Sequence, residues 1–324
     1  MRGNDQHYLC TLRGEARLRF KSEFEQELLM KEKIIYALGF FDGVHLGHQA
    51  LLSACRELAA EYGCQTGVVT FTAHPESLVL GKAPLLLCSP ADRRQLLQAQ
   101  GIGHVLELTF DEGLRTMPWQ DFFHMLTTKY GAGGLVCGDD FRFGYRGEGN
   151  AALLKAACQQ ANIPCTVVPE QLLDGMRVSS THIRQLLENG NMIEANRFLG
   201  HRHVLSGQVV PGRGLGHTIG IPTANLQVQP GVMLPKNGVY ACATVIDGKK
   251  YPAVTNIGSR PTVDGHHVTV EPWILDFDGD LYGKTVSLQF CAYLREEEKF
   301  PSLEALKAQI LKDAGKTKKI FENT

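Results

Sequence analysis

Between residues 34 and 168, apolar runs of strand length alternate with segments in which apolar residues recur at helical spacing. The strand candidates are residues 34–38, 66–72, 104–110, 134–137 and 165–168. The best defined helical pattern between them has one apolar face formed by Leu51, Leu52, Cys55, Leu58 and Tyr62. Repeated β-α units of this size predict a parallel sheet with helices on both faces.

The pattern changes near residue 200, where glycine and proline become frequent and strand-like alternation replaces the helical spacing. The alternating runs are residues 240–246, 251–255, 268–277 and 285–293. Asp247-Gly248 predicts a hairpin turn, and residues 302–313 predict a terminal helix. The second half therefore predicts a small antiparallel barrel followed by a helix. Two short helical patterns, at residues 181–188 and 192–199, bridge the halves.

Length and composition fit a protein of two domains and limit its partners. The chain has 324 residues, of which 44% are hydrophobic and 21% are charged, so it can bury a sizeable core. A net charge of −1 argues against a general binder of nucleic acid or of membrane surfaces. Nine cysteines without a Cys-x-x-Cys pair exclude the usual zinc and redox frameworks. We therefore expect a cytoplasmic protein with no membrane span and no obligate protein partner.

Two histidines stand at the first junction between a strand and a helix. Residues 39–48 read Gly-Phe-Phe-Asp-Gly-Val-His-Leu-Gly-His, directly after the first strand candidate. Helical spacing puts His45 and His48 on the same side, and Gly47 between them lets a ligand approach the backbone. The start of a helix adds free N–H donors and a positive dipole end. This turn therefore predicts a site for a nucleotide triphosphate at the carboxyl edge of the sheet.

Three further stretches of the first half carry candidate polar groups. Residues 138–147 combine acids, aromatic rings and arginines, which suits a planar ring with a phosphate. Residues 179–184 offer three hydroxyls at a helix start with Arg184 one turn later, a set that favours phosphate contacts over capping alone. His74-Pro75 ends the second strand candidate, and either a capping role or a ligand role remains open for that histidine.

A glycine-rich loop opens the second half. Gly212, Gly214 and Gly220 precede Thr223 and Asn225, which lie two residues apart. Such a loop can wrap phosphates, and the two neutral side-chain oxygens suit Mg²⁺. Glycine-rich loops are more often simple turns, so the loop is a weak signal without the Thr-x-Asn pair that follows it.

A single acid stands out in the third alternating run of the second half. Strand register puts Glu271 beside Trp273 and Leu275 on a predominantly apolar face. A carboxylate in that position costs stability unless it has a function. The charged run at residues 294–300 predicts a solvated surface, with Arg295 as its one candidate for a site.

These motifs occur in the order found in the bacterial bifunctional riboflavin kinase/FAD synthetase family, which the chain resembles over nearly its whole length after residue 34. The matching stretches are residues 39–48, 138–147, 179–184, 220–226, 256–262, 271–283 and 294–300. The resemblance implies an α/β fold in which a Rossmann-like nucleotidyltransferase domain with a parallel sheet precedes a small antiparallel barrel with a C-terminal helix. It implies an FMN adenylyltransferase domain at residues 1–186, a bridging segment at 187–200 and a riboflavin kinase barrel at 201–324.

The resemblance also implies two ATP-dependent reactions, riboflavin to FMN and FMN to FAD, the second releasing pyrophosphate. His45, His48 and Arg184 would stabilise charge on the triphosphate, and Glu271 would act as the base that orients the ribityl hydroxyl. Mg²⁺ bound with ATP would contact Thr223 and Asn225. The residues expected to contact ATP or its phosphates are Gly39, Asp42, Gly43, Gly47, Ser180, Thr181, Gly212, Gly214 and Gly220. Those expected to contact the flavin are Asp140, Phe141, Phe143, Arg146 and Arg295.

Two alternatives to this two-activity prediction remain open on the sequence alone. The chain departs from the usual family residues at Phe40, Thr72, Ala73 and His182, which is compatible with a riboflavin kinase whose adenylyltransferase half is degenerate. The other alternative is a non-catalytic flavin-binding regulatory protein. The near-neutral charge and the intact Thr-x-Asn and His-x-Gly-His sets argue against it.

Overall fold

The chain divides into two units in a computed structural model that describes residues 33–74, 84–212, 220–262 and 265–322. The first unit contains the described residues of Met1–Phe40, Gln49–Gly81 and Leu97–Glu170. The second unit contains those of Phe41–His48, Lys82–Leu96 and Gln171–Thr324. The turn that carries His45 and His48 thus belongs to the second unit, although the strand before it belongs to the first.

Strands and helices alternate along the chain from residue 34 to residue 168. The strands are β1 (Ile34–Leu38), β2 (Gln65–Phe71), β3 (His104–Leu108), β4 (Ala132–Gly138), β5 (Arg142–Phe143), β6 (Gly149–Asn150) and β7 (Cys165–Val168). The α-helices are α1 (Leu46–Tyr62), α2 (Pro90–Ala99), α3 (Glu112–Thr116), α4 (Trp119–His124) and α5 (Ala151–Gln160). Helix α4 is short, because a π-helical turn at Met125–Lys129 follows it directly.

A five-stranded sheet forms the centre of the first unit. Its strand order is β3-β2-β1-β4-β7, and every neighbouring pair is parallel. Strands β1 and β4 lie inside the sheet and are buried along almost their whole length, as expected where helices cover both faces. Helix α5 begins at the Asn150 cap, whose side chain accepts the Leu153 N–H at 2.9 Å, and buries Leu154 and Cys158 completely.

The second unit contains the remaining elements of the chain. Two short strands, β8 (Leu172–Leu173) and β9 (Met176–Arg177), precede helices α6 (Ser180–Glu188) and α7 (Met192–Leu199). The strands that follow are β10 (His203–Val210), β11 (Asn225–Val228), β12 (Gly238–Ile246), β13 (Lys249–Thr262), β14 (Gly265–Ile274) and β15 (Thr285–Arg295). The chain then forms helix α8 (Leu303–Glu322).

Strands β10 to β15 close into an antiparallel barrel in the order β10-β11-β14-β13-β12-β15. Closure pairs both edges of every strand, which removes the exposed edges of an open sheet. Leu205, Tyr240, Ile257, Leu288 and Phe290 are fully buried in its core. Helix α8 contributes Ala314 to a second cluster, on the outer face, that also contains Val239, Val254 and Leu275.

The predicted fold, a parallel α/β unit and a small antiparallel barrel with a terminal helix, is confirmed. The sequence pattern had not indicated β10 or β11, and it ended the last helix at residue 313. That helix continues to Glu322 and buries Thr317 in its additional turns. Strand β14 ends at Ile274, three residues earlier than predicted, just before Asp276 adopts a φ of 57°. In the described part of the chain, no helix is both long enough and apolar enough to cross a membrane.

A buried histidine makes the barrel sensitive to acid. His203 at the start of β10 is 1% exposed, and burial lowers the pKa of its imidazole to about 3. The unfolded chain therefore binds a proton, in the window from about pH 6.5 down to about pH 3, that the folded chain does not bind. The folded state loses stability as the pH falls through this window. We expect this residue to remove about 2 kcal/mol from the free energy of unfolding between about pH 6.5 and about pH 5.

Chemical unfolding of the native sequence and of His203→Leu at both pH values measures this contribution. The Trp119→Phe background leaves Trp273 in β14 as the tryptophan signal, so that fluorescence reports the barrel. The leucine variant has no titrating group at this position. Its free energy of unfolding should therefore fall less on acidification than that of the native sequence, and equal losses in both proteins would contradict the assignment.

Candidate functional site

A strained turn joins β1 to α1 and carries both histidines. We call residues 41–48 the histidine turn. Its backbone φ is 58° at Phe41, 74° at Gly43 and 43° at Val44, within or beside a short 3₁₀ turn at Asp42–Val44. A β-branched valine rarely adopts a positive φ, and such a conformation persists only where the surrounding structure enforces it. The contacts of this turn therefore decide whether the two histidines keep their positions.

The Asp42 carboxylate supplies the strongest of these contacts. It is 3% exposed, its Oδ1 accepts the Leu87 N–H at 2.8 Å, and its Oδ2 lies 2.6 Å from Arg184 Nη2. Burial raises the pKa of Asp42, and the Arg184 guanidinium opposes that shift. The sequence predicted Asp42 as a phosphate contact, whereas here its charge is paired inside the protein. A carboxylate also repels phosphate, so its position fits an anchor of the turn.

His45 and His48 form a stacked pair. Their ring centroids are 3.7 Å apart at an interplanar angle of 14°, and the His48 N–H donates to His45 Nδ1 at 3.3 Å. A ring nitrogen that accepts a hydrogen bond carries no proton, so neutral His45 holds its proton on Nε2. Burial lowers the pKa of His45 to about 4 and lowers the pKa of His48 well below its usual value. Near neutral pH the pair therefore offers neutral N–H donors.

Among the described residues, one ring nitrogen of this stack has no partner, and a glycine leaves room beside the rings. Within the described chain, His48 Nδ1 is buried without a hydrogen-bond partner. A Cβ on Gly47 would lie 3.2 Å from the His45 ring, closer than most Cβ contacts, so glycine at this position lets the rings stack. His201 supports the turn from the other side, since its Nε2 lies 2.9 Å from the Gly43 carbonyl oxygen.

Helix α6 brings further predicted residues to the histidine turn. Ser179 caps the helix by accepting the His182 N–H at 3.2 Å, and Ser180 Oγ donates to the Asp42 carbonyl at 3.2 Å. Thr181 is exposed. Arg184 also donates from Nε to the Leu85 carbonyl at 2.7 Å. The described bonds use two of the five N–H donors that a guanidinium has, so further donors remain for an anion.

The predicted flavin-contacting loop belongs to the first unit. Phe143 is 7% exposed and packs against Trp119 and Phe122, so its ring belongs to the core and is not an open stacking surface. Phe141 is half-buried and stacks on Phe143 at 5.5 Å. Asp140 and Arg146 are exposed, as a contact with a ligand requires. Gly39, also of this unit, donates its N–H to the Val69 carbonyl at 3.2 Å.

Three polar residues form a row across neighbouring strands on the outer face of the barrel. Leu226 lies opposite Val270, so antiparallel pairing sets Asn225 beside Glu271. Asn256 lies opposite Glu271 on the other side. Because the alternating neighbours Leu226 and Val270 belong to the core, this row, Asn225, Glu271 and Asn256, faces outward.

The polar row lies beside a backbone segment that has no room for a side chain. A Cβ on Gly212 would lie 1.9 Å from Asn225 Nδ2, so only glycine fits there. Thr223 is half-buried two residues before Asn225, and Gly220 adopts a φ of 72° before it. The hydroxyl and amide oxygens of Thr223 and Asn225 are the neutral oxygen ligands that suit Mg²⁺. Gly214 lies outside the described residues.

Sequence reasoning missed two participants of this face. Asn256 Nδ2 donates to Glu297 Oε1 at 3.3 Å, and Asn256 itself stands next to Glu271. A Cβ on Gly258 would lie 2.1 Å from the same Glu297 oxygen, so the carboxylate lies over this glycine. The charged run around Glu297 predicts only a solvated surface, and Glu297 is indeed exposed. Asn256 and Glu297 are 41 residues apart, and no pattern in the sequence around either residue predicts that they meet.

The structure places Arg295 in a buried ion pair. Its Nε lies 2.8 Å from Asp313 Oδ2, and Asp313 is fully buried in α8. Gln309 Nε2 donates to the other oxygen of the same carboxylate at 2.9 Å. The Arg295 side chain is 14% exposed, so its first role is to fix the end of β15 against α8.

Comparisons with known proteins match both halves of the chain. A family model described as FAD synthetase matches residues 28–182, and one described as riboflavin kinase matches residues 199–321. The curated protein "Bifunctional riboflavin kinase/FMN adenylyltransferase" of Escherichia coli K12 is 37% identical over 294 residues, which cover 90% of this chain and 94% of that protein. The protein of the same name from Bacillus subtilis is 32% identical, with 91% and 96% covered.

A solved structure shares the fold along most of the chain. It belongs to a protein described as a macrolide-efflux protein from Streptococcus pneumoniae, with a TM-score of 0.80 and 32% identity. The match covers 89% of this chain and 94% of that protein. Full-length relatives and two family models thus agree, and the chain belongs to the family of bifunctional riboflavin kinase/FMN adenylyltransferases.

Proposed function

We propose that the histidine turn carries FMN adenylylation and that the polar row on the barrel carries riboflavin phosphorylation. As a member of its family, the chain phosphorylates riboflavin to FMN with ATP and adenylylates FMN to FAD with ATP. The matches to both domains support two activities over the kinase-only alternative. The observation that carries the assignment of the first site is the stacked, neutral His45–His48 pair at the start of a helix.

Adenylylation at the histidine turn requires no covalent intermediate with the protein. A phosphate oxygen of FMN attacks the α-phosphorus of ATP, a new P–O bond forms, and pyrophosphate leaves with the broken bond's electron pair. Negative charge grows on the phosphate oxygens, and preorganised donors stabilise it. We assign this role to the N–H groups of His45 and His48 and to the guanidinium of Arg184. Gly43, Gly47, Ser180 and Thr181 line the approach of the triphosphate, and Asp42 holds Arg184.

To bind FMN for adenylylation, the protein needs an apolar side chain against the flat flavin ring and polar side chains at the polar edge of that ring. We propose that Phe141 packs on the ring while Asp140 and Arg146 contact its polar groups. Phe143 supports Phe141 from the core, which revises its expected direct contact with the flavin. Phe141 is half-buried and Arg146 is exposed, so both are accessible in the first unit. Gly39 completes the proposed nucleotide contacts of this unit.

Phosphorylation at the polar row depends mainly on positioning and charge neutralisation. We propose that Glu271 accepts the proton of the ribityl hydroxyl as the hydroxyl oxygen attacks the γ-phosphorus of ATP. The new O–P bond forms while the bond from the γ-phosphorus to the bridging oxygen breaks, and ADP leaves with that electron pair. Thr223 and Asn225 would hold Mg²⁺, which supplies neutralisation of the phosphate charge when bound. Gly212, Gly214 and Gly220 would let the backbone approach the phosphates. Arg295 would help to bind the flavin indirectly, because its ion pair with Asp313 fixes the end of β15.

The proposal extends to the surroundings in which the enzyme works. The eight cysteines of the described chain are free thiols, which suits a reducing cytoplasm. With a net charge of −1, the protein lacks the basic excess of nucleic-acid binders. We therefore propose a cytoplasmic enzyme that acts on small molecules without an obligate protein partner.

The first test of the adenylylation site removes one imidazole. His48→Ala should slow FAD formation from supplied FMN by about a hundredfold or more, because a preorganised donor to the transition state is lost. FMN formation from riboflavin should not change. The exposed His124, replaced by alanine, is the matched control. Equal loss of both activities in His48→Ala would mean that the substitution damages the fold instead.

The kinase site is tested by removing one charge. Glu271→Gln keeps the shape of the side chain, and loss of a general base typically costs ~10²–10⁴-fold in rate. FMN formation should fall by that order, and FAD formation from supplied FMN should stay constant. Glu298→Gln, which changes an exposed glutamate in the charged run at residues 294–300, serves as the control. Near-normal FMN formation in Glu271→Gln would leave Glu271 with a structural role alone.

The proposed domain boundary is tested with a fragment. The barrel is closed and buries apolar residues from all of its strands, so residues from about 200 to 324 should fold and convert riboflavin to FMN without making FAD. Its unfolding midpoint should be lower than that of the full chain, because Leu87 and α7 contribute to the same core. The readouts are product chromatography and circular dichroism. An unfolded or inert fragment, under conditions where the full chain works, rejects this boundary.

A further inference from the structure

We propose that a segment anchored on the kinase barrel positions the histidine turn, and that Ser206 and Asp92 are positioning residues for FMN adenylylation. We call residues 85–92 the strap. The inference rests on the proposed location of adenylylation at the histidine turn. It connects the two activities physically, since the strap lies within the FAD synthetase match and Ser206 lies within the riboflavin kinase match.

The strap contacts the histidine turn and also Arg184 of α6, which pairs with Asp42 of that turn. The Leu87 N–H donates to Asp42 Oδ1 at 2.8 Å, and the Leu85 carbonyl accepts from Arg184 Nε at 2.7 Å. The Gly43 N–H points to Cys88 Sγ at 3.3 Å. Gly43 must be a glycine, because its φ is 74° and a Cβ would lie 2.8 Å from a methyl carbon of Leu87. A shift of the strap would therefore move Asp42, Arg184 and the strained turn together.

The same strap is paired with the barrel loop between β11 and β12. The Leu86 N–H donates to the Gly231 carbonyl at 2.8 Å, and the Met233 N–H donates to the Leu86 carbonyl at 2.8 Å. These bonds form a parallel bridge centred on Leu86 and Val232. Leu87 is 1% exposed in the same apolar cluster as Val232 and Met233. The strap thus has one bonded side toward the barrel and one toward the histidine turn.

A buried carboxylate fixes the end of the strap on the barrel wall. Asp92 is 2% exposed and accepts hydrogen bonds from Ser89 Oγ at 2.7 Å and from Ser206 Oγ. The Asp92 N–H donates back to Ser89 Oγ at 3.1 Å, which caps helix α2. Ser206 lies on the outer face of β10, since its neighbour Leu205 belongs to the core. Ser206 is therefore the barrel's hydroxyl contact with the strap's carboxylate.

The strain of the histidine turn gives this anchor a functional consequence. Catalytic donors must hold their positions closely, and a shift of about 1 Å can cost a large factor in rate. Val44 and Phe41 keep a left-handed backbone only while their surroundings hold them. If the strap relaxes, His45, His48 and Arg184 lose their common frame. Adenylylation then slows although no group that touches the substrate has changed.

Substitutions at Ser206 test the anchor, and Ser287 provides matched controls. Ser206→Ala removes the hydroxyl, Ser206→Asp sets a second carboxylate against Asp92, and Ser206→Thr keeps the hydroxyl in a residue that strands favour. Ser287 lies directly opposite Ser206 on the same face of the β10–β15 pair. Ser287→Ala and Ser287→Asp therefore make the same changes on the same wall, at the cross-strand neighbour of the anchor.

We expect Ser206→Ala to lower the kcat of FAD formation from supplied FMN about tenfold, with little change in KM. Ser206→Asp should lower kcat further, and Ser206→Thr should restore it. The Ser287 variants should match the native sequence, and FMN formation should be unchanged in all of these proteins. Ser206→Ala should unfold at a lower temperature than Ser287→Ala, because the buried Asp92 carboxylate loses a donor. The rates are therefore compared well below both unfolding midpoints, where both variants are folded and the loss in rate reports position rather than stability.

A double-mutant cycle with Asp42→Asn tests the route through the strap. If Ser206 acts through Asp42, the rate loss in the double variant should be smaller than the product of the two single losses. Fully multiplicative losses would overturn the route. Unchanged FAD formation in Ser206→Ala and Ser206→Asp would overturn the anchor, and so would an equal fall of FMN formation. His48→Ala, assayed in parallel, separates this result from a failure of the proposed site, since only the latter leaves His48→Ala active.

Discussion

The Asp42 carboxylate is buried between a strained turn, a helix and the strap, and it carries its charge there with Arg184 as counter-ion. A buried carboxylate without a partner is strongly destabilising, so removal of Arg184 or of the Leu87 N–H would affect the whole turn. The positive φ values of Phe41, Gly43 and Val44 depend on this pairing, and so does the stack of the two imidazoles. The chemistry proposed for the first site therefore depends on a residue that does none of it.

Burial gives the two histidines a different character from that of surface imidazoles. Both have lowered pKa values, so both are neutral donors near neutral pH. A neutral donor does not compete with cations for the charged oxygens of a triphosphate. It can still stabilise the negative charge that develops during the reaction. Arg184 supplies the fixed positive charge, already partly compensated by Asp42. In this site, Arg184 carries the permanent positive charge, whereas His45 and His48 are the neutral donors proposed to stabilise the transition state.

The sequence predicted both architectures because their periodicities differ. Apolar runs between helical patterns indicated the parallel sheet, and alternation indicated the barrel, with Glu271 on the face that also presents Trp273. Strand β10 was missed because Ser206, Gly207 and Gln208 interrupt its apolar residues, and β11 was missed because it has only four residues. The strap, His201 and the Asn256–Glu297 contact were missed for another reason. Their partners lie 41 to 158 residues away, and no local pattern of side chains encodes such a distance.

The order in which these partners appear along the chain has a consequence for synthesis. The ribosome releases residues 41–48 early, and a nascent domain begins to fold from its N-terminal part. Yet Arg184, Ser206 and the Gly231–Met233 loop, which hold the strap and the turn, are translated 136 to 185 residues later. The strained turn therefore lacks the contacts that hold it until synthesis has passed residue 233, after the first two barrel strands. The two histidines are encoded early, yet the residues that hold their turn are encoded at residues 184–233, so a chain that ends before them would retain the motif and lack the geometry.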